Sequence, residues 1–314
     1  MSYANEFDVA GLAVSPNCRG RVPGSKTVYV CKDFTGGPSA GNGSKPTLVL
    51  RTILEAITQL AATGRTNRGD RIIVLPGHTE NVDAADWASA TSTMKGFSVL
   101  GIGTGTMRPK LTWTTATSTW LLDTNDVELA NLQLELAGPH ATGAAVTVAA
   151  PITVSGTGCR IVDCLIFWGF EADRIVDDGI TWTGADGEFL GNTCIALLLA
   201  VPGNAFMALT AADRIHIANN YIHGTTDGTT RGVIYGVTTA SVNVNIHDNY
   251  LHNVLASSTI AMSLLTASTG EIARNMTSTE VGILPFTASI GRWHANYNVD
   301  TEGQAGALVG TAST

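Results

Sequence analysis

The residues of this 314-residue chain that could do chemistry gather in two places. Between positions 171 and 188 stand Glu171, Asp173, Asp177, Asp178, Asp186 and Glu188, with Arg174 among them. Carboxyls in such number suit hydrolysis of a glycosidic bond, where one carboxylic acid and one carboxylate flank the bond being broken. Carboxylates in such number can also hold calcium. Asp177 and Asp178 precede a β-like run at 180–182, whose Trp182 could stack on a sugar ring. Trp168 is a second candidate for a carbohydrate or partner contact. The competing reading is a solvated loop, because the segment falls in one of the longer stretches between repeats. Asp177, Asp178, Asp186 and Glu188 therefore stand as candidates only, and no catalytic residue is assigned.

The second place is a repeated phrase. Residues 215–222 read Ile-His-Ile-Ala-Asn-Asn-Tyr-Ile and residues 244–251 read Val-Asn-Ile-His-Asp-Asn-Tyr-Leu. Asn220 matches Asn249, Tyr221 matches Tyr250, and His223 matches His252 one step beyond. His216 and His247 are close by. Imidazoles on adjacent repeats could share a metal ion, but no third ligand recurs with them. No metal and no cofactor are expected. Gly101-Ile102-Gly103-Thr104-Gly105 lacks the helix a nucleotide loop requires, since Pro109 arrives first. Nothing marks a nucleophile elbow.

The elements that must position these residues follow from the repeat. The pattern apolar-x-apolar-x-small-Asn-x-apolar can be followed through anchors at Ile73, Val99, Leu129, Ile161, Phe189, Ile217, Ile246 and Ile272, at steps of 26 to 32 residues. The segments alternate with period two and are rich in Val, Ile and Thr, so helical repeats are excluded. A propeller blade needs about 40 residues. Three short strands per turn fit best, each pairing in parallel with its counterpart one rung away. The expected fold is all-β: a right-handed parallel β-helix of about eight rungs over 28–276. Asn192, Asn220, Asn249 and Asn275 would form a stacked structural ladder at one corner. A single amphipathic helix at about 47–62, with Thr47 as N-cap, would cover the open end. Residues 1–27 form an arm whose Arg19, Arg21 and Lys26 suit docking, and 277–314 form a C-terminal cap or docking segment.

Composition narrows the function. Charged residues make up only 14% of the chain and the net charge is −8, with no basic run, which argues against a nucleic-acid partner. The five cysteines at 18, 31, 159, 164 and 194 are scattered without a Cys-x-x-Cys pair, so free thiols are expected. No apolar run approaches a membrane span, and the first thirty residues lack the basic start and apolar core of a signal peptide. A soluble protein is expected. Trp87, Trp113, Trp120, Trp168 and Trp182 lie in or near the rungs, so some of them are expected to face a partner.

The opening resembles that of right-handed parallel β-helix proteins of the pectate-lyase-like superfamily. Val28-Tyr29-Val30 leads a Gly/Asn turn, Lys45-Pro46-Thr47 opens the helix, and 69–80 enters the first rung. Residues 97–103 followed by Arg108-Pro109-Lys110-Leu111 resemble the second rung. The arm and the Ala/Thr-rich rungs are similar to β-helix proteins encoded among tailed-phage virion genes. That resemblance implies a structural virion protein, assembled in the host cytoplasm and forming a homotrimer. Its first implied role is capsid decoration, or cement, in contact with capsid or other virion proteins. The alternative is a tailspike-type protein that binds or cleaves a host surface glycan. The motifs around the superfamily's catalytic Arg are not visible here, so no catalytic residue carries over and the chain is expected not to be an enzyme.

Overall fold

Three columns of parallel strands form the framework of the described residues. The computed structural model describes residues 25–32, 43–62, 69–82, 94–136, 146–168, 174–196, 205–224, 231–253, 260–279, 286–287, 292–294, 296–298 and 307–308. The first face has ten strands, running from Thr27–Val30 and Asp70–Val74 through Arg160–Val162, Glu188–Leu190, His216–Ala218 and Val244–His247 to Arg292–His294. The second face runs from Thr79–Val82 through Thr193–Ala196, Tyr221–Gly224 and Tyr250–Asn253 to Tyr297–Asn298, with Ala307–Leu308 added antiparallel at its end. The third has seven strands, from Trp120–Leu122 through Asp178–Trp182 to Phe286–Thr287. Seven strands are separated by six full turns, so the complete three-sided coil is about six turns long. The expected eight rungs are reached only by counting coils at the ends that lack the third face. Parallel pairing also runs past residue 276, where Arg292–His294 and Tyr297–Asn298 extend the first two faces.

The anchor column explains why the coil closes. Ile72, Val99, Leu129, Ile161, Phe189, Ile217, Ile246 and Ile272 are in register along the first face and have no exposed surface. Each such side chain contributes about 1.5–3 kcal/mol by leaving water. The first anchor is a correction, because Ile72 and not Ile73 points inward. Both sides of that strand are buried, so alternation cannot choose between them. Ile73 instead joins a smaller cluster on the outside of the face with Leu100, Ile102, Ala130 and Val162.

The helix spans Ile53–Ala62 and is shorter than the sequence reading at its start. Thr52, not Thr47, caps it. The Thr52 hydroxyl accepts the Glu55 amide at 3.0 Å while the Glu55 carboxylate accepts the Thr52 amide at 3.3 Å, a reciprocal capping box. Ile53, Ala56, Ile57 and Leu60 join the core beside Val28, Val30 and Ile72. Buried Glu80 accepts the Ile53 amide at 2.8 Å and bonds His78 Nε2 at 3.0 Å, while His78 Nδ1 accepts the Lys32 amide. This His–Glu pair fastens the helix to the first rung.

Candidate functional site

The corner between the first and second faces is a two-residue turn repeated up the coil. Its first residue is left-handed: Asn131 (φ 53°), Asp163 (53°), Gly191 (65°), Asn219 (58°), Asp248 (56°) and Arg274 (54°). Asn, Asp and Gly tolerate this conformation best. The second residue points inward, and is Asn192, Asn220, Asn249 and Asn275 on successive rungs, all but fully buried. The Oδ1 atoms of Asn220, Asn249 and Asn275 each accept the backbone amide and the side-chain amide of the Asn one rung before, at 2.9–3.1 Å, and Asn192 Oδ1 accepts the Cys164 amide at 2.9 Å. Each Nδ2 also donates to an anchor carbonyl: Asn220 to Phe189, Asn249 to Ile217, and Asn275 to Ile246. Asn296 extends the column by a further rung, accepting the Asn275 amide at 2.9 Å. The sequence reading missed it because only 21 residues separate Trp293 from Ile272. The Asn296-Tyr297 pair, which repeats Asn220-Tyr221 and Asn249-Tyr250, was the available signal.

The acidic candidates are distributed over the coil. Asp178 opens the third-face strand Asp178–Trp182, and Asp177 precedes it. Asp186 lies beyond the far end of that strand, whose own length is about 13 Å, outside the roughly 5–9.5 Å that separates paired glycosidase carboxyls. Asp186 is a corner residue with φ 54°, and its carboxylate pairs with Arg214 at 2.6 and 3.0 Å. Glu188 lies outside the first face and accepts Arg160 Nε at 2.6 Å; the same guanidinium reaches Glu128 at 2.7 Å. Glu171 and Asp173 fall outside the described residues, and of Arg174 only the backbone is described.

Asp177 and Asp178 remain together as a pair. The Asp178 carboxyl is half-buried, and its Oδ1 is buried with no hydrogen-bond partner among the described residues. Burial, reinforced by the charge of Asp177 and opposed by Arg231, pushes its pKa up to about 6. Arg231 lies over the Tyr235 ring, 5.3 Å from its centre. A carboxyl poised near neutrality beside a second carboxylate can donate or accept a hydrogen bond, and the pair can serve as acid and base.

Outside the Asn corner runs a second polar network. His216 Nε2 and His247 Nε2 are 2.8 Å apart, His247 Nδ1 meets Asp248 Oδ2 at 2.6 Å, and Arg274 clasps Asp248 through two bonds of 2.8 Å. The Arg274 guanidinium, helped by His247, holds the Asp248 carboxyl at a pKa of about 2. Burial and the facing His247 push His216 below the usual histidine range. On the second face His223 and His252 meet through Nδ1 atoms at 2.9 Å, and burial lowers both. Among the described residues no group of three His, Cys, Asp or Glu is arranged to hold a metal.

Beside these histidines, Tyr221 and Tyr250 are stacked, 5.1 Å apart at 4°. Their column continues in register to Met276 and Tyr297, and Tyr221, Met276 and Tyr297 are 41%, 45% and 46% exposed. These tyrosines form the aromatic surface, not the tryptophans. Trp113, Trp120, Trp168 and Trp182 are buried in the core, which corrects the expectation that Trp168 and Trp182 meet a sugar or partner. Glycine makes room for the indoles: a Cβ at Gly179 would strike Trp168, and one at Gly187 would strike Trp182. Trp87 lies outside the described residues.

Of the arm residues, Arg19 and Arg21 are outside the described residues. Lys26 belongs to the coil, its amide donating to Asp70 at 2.6 Å. Cys159, Cys164 and Cys194 are buried thiols, and burial pushes Cys164 up to about 12. Among the described residues no helix is long and apolar enough to cross a membrane.

No protein-family model matches the chain, and no curated protein matches it. Among solved structures it is similar to the crystal structure of Dettilon tailspike protein (gp208), at 12% identity and a TM-score of 0.35 over 89% of this chain. The match covers 63% of that tailspike, so the chain spans less than two thirds of its length.

Proposed function

We propose that the protein is a tailspike-type structural component of a phage virion, a rigid β-solenoid that binds host surface polysaccharide along the flank marked by Asp177, Asp178 and Arg231. The observation that carries this reading is the Asp178 carboxyl, held half-buried with an unpartnered oxygen beside a second carboxylate. A buried polar atom without a partner costs about 1–3 kcal/mol, and turning the carboxyl outward would let a sugar hydroxyl satisfy it. Binding is the primary role. Cleavage is the secondary one, with Asp178 as acid and Asp177 as its partner. The exposed Tyr221, Met276 and Tyr297, with half-buried Tyr250 in the same column, support association into a homotrimer through the second face, because aromatic residues and Met are enriched at such contacts.

Capsid decoration, the first role implied by the sequence resemblance, rests on an arm that lies largely outside the described residues. The described surface favours the tailspike-type role instead. Reducing-sugar and unsaturated-product assays on bacterial surface polysaccharides, with Asp177→Asn and Asp178→Asn as controls, test cleavage. Mass spectrometry of purified particles tests the virion assignment, and absence of the protein from them refutes it.

A further inference from the structure

The outside of the Asn corner holds an arrangement that the polysaccharide reading does not use. We propose that His216 and His247 form an open two-imidazole site for a divalent transition ion of the zinc or nickel kind. The two residues lie on adjacent rungs of the first face, and their Nε2 atoms converge to 2.8 Å with ring centres 4.8 Å apart. Zinc–nitrogen bonds of about 2.0–2.1 Å at a tetrahedral angle require roughly 3.3 Å between the nitrogens. Opening the pair by about half an ångström therefore admits the ion.

The protonation pattern is set from outside the pair. Asp248 accepts the His247 Nδ1 proton at 2.6 Å, which leaves the Nε2 lone pair of the neutral ring directed at His216. Arg274 fixes Asp248 in turn with its two bonds. This is the carboxylate–histidine support that orients metal-binding imidazoles. In the ion-free pair the His216 Nε2 proton fills the gap. On binding, that proton moves to His216 Nδ1 and the ion takes its place, with no net change in protonation. Glu188 and Asn245 flank His216 in the strand register, and Glu188 is engaged by Arg160. The remaining coordination positions are filled by water. Imidazole donors select zinc, nickel or copper over magnesium and calcium, which require oxygen ligands.

The other imidazole pair provides an internal control. His223 and His252 approach as closely, at 2.9 Å, but His252 Nε2 is buried with no hydrogen-bond partner among the described residues. That ring lacks the supporting carboxylate.

Titration calorimetry of the full chain with ZnCl2, NiCl2 and MgCl2 near neutral pH tests the site. The expected result is one zinc or nickel ion per chain and no magnesium. His216→Gln and His247→Gln each abolish binding, Asp248→Asn weakens it by about tenfold, and the double variant His223→Gln/His252→Gln leaves it unchanged. Electron paramagnetic resonance of the unaltered chain with one equivalent of Cu²⁺ gives a readout that needs no variant, and coupling to two imidazole nitrogens is expected. Absence of binding, binding that survives in His216→Gln and His247→Gln, or loss confined to the His223/His252 variant overturns the proposal.

Discussion

The corner between the first and second faces carries polar ladders on both of its sides. Inside, Asn192 to Asn296 are buried, the side-chain amides from Asn192 to Asn275 each bond on both sides, and each carbonyl is filled by the neighbouring rung. Outside, His216, His247, Asp248 and Arg274 are chained by bonds that depend on tautomer and charge. A saturated ladder has no bonding capacity left for a ligand, so it fixes the shape of the coil. A proton-dependent network at the surface can respond to its surroundings. The repeated phrase at 215–222 and 244–251 contributes to both, its Asn facing inward and its His outward.

The largest effect is expected where charge is buried outside the first face. Arg160→Ala leaves Glu128, only 2% exposed, without its 2.7 Å cation and should cost about 3 kcal/mol in urea unfolding. Asn249→Ala comes next. It strands the Asn220 amide, which donates to Asn249, and should cost about 2 kcal/mol by the same measurement. A cost under about 0.5 kcal/mol would mean that the inner ladder is decoration.

The outer side should differ in its response to pH. His216, His223 and His252 have folded values below the ordinary one near 6.5. In that window the unfolded chain binds more protons, so stability falls as pH drops from about 6.5 toward the lowered values. Asp178 opposes this. Its folded value near 6 lies above the ordinary carboxyl, so its contribution is complete below about 4 and is lost as pH rises through 6. Melting temperature should therefore fall on acidification from pH 7 to 5, and more steeply in Asp178→Asn. A pH-independent melting temperature in both proteins would contradict this. The smallest effect on folding is expected at Tyr297→Ser, within about 0.5 kcal/mol. Sedimentation should nonetheless show weakened self-association if the tyrosine column is the subunit contact.

Much of the fold was legible in the sequence because the coil repeats: an apolar anchor recurs on every rung from Ile72 to Ile272, and an inward Asn on the later ones from Asn192 onward. The register at Ile72 and Ile73 was not, since a strand buried on both sides gives no alternation. Nor was the burial of Trp168 and Trp182, because the space for them comes from Gly179 and Gly187, and nothing in the sequence shows that the coil folds each glycine against its indole. The acidic candidates illustrate the same limit at the site. Asp177, Asp178, Asp186 and Glu188 are near neighbours in the chain, but one strand of the coil carries the last two around a corner. Only the folded coil distinguishes a corner Asp186, an ion-paired Glu188 and an unsatisfied Asp178. Arg231, which faces Asp178 from 53 residues away, carried no signal at all.

The most direct test of polysaccharide binding at Asp177 and Asp178 is retention of bacterial surface polysaccharides on an array by the full chain and by its Asp177→Asn/Asp178→Asn variant. The unaltered chain should retain a specific glycan, and the variant, shown to be folded by a cooperative melting transition, should lose at least about tenfold in affinity, the 1.4 kcal/mol expected from a lost charge-assisted hydrogen bond. Retention of no glycan by the unaltered chain, or equal retention by the two proteins, would contradict it.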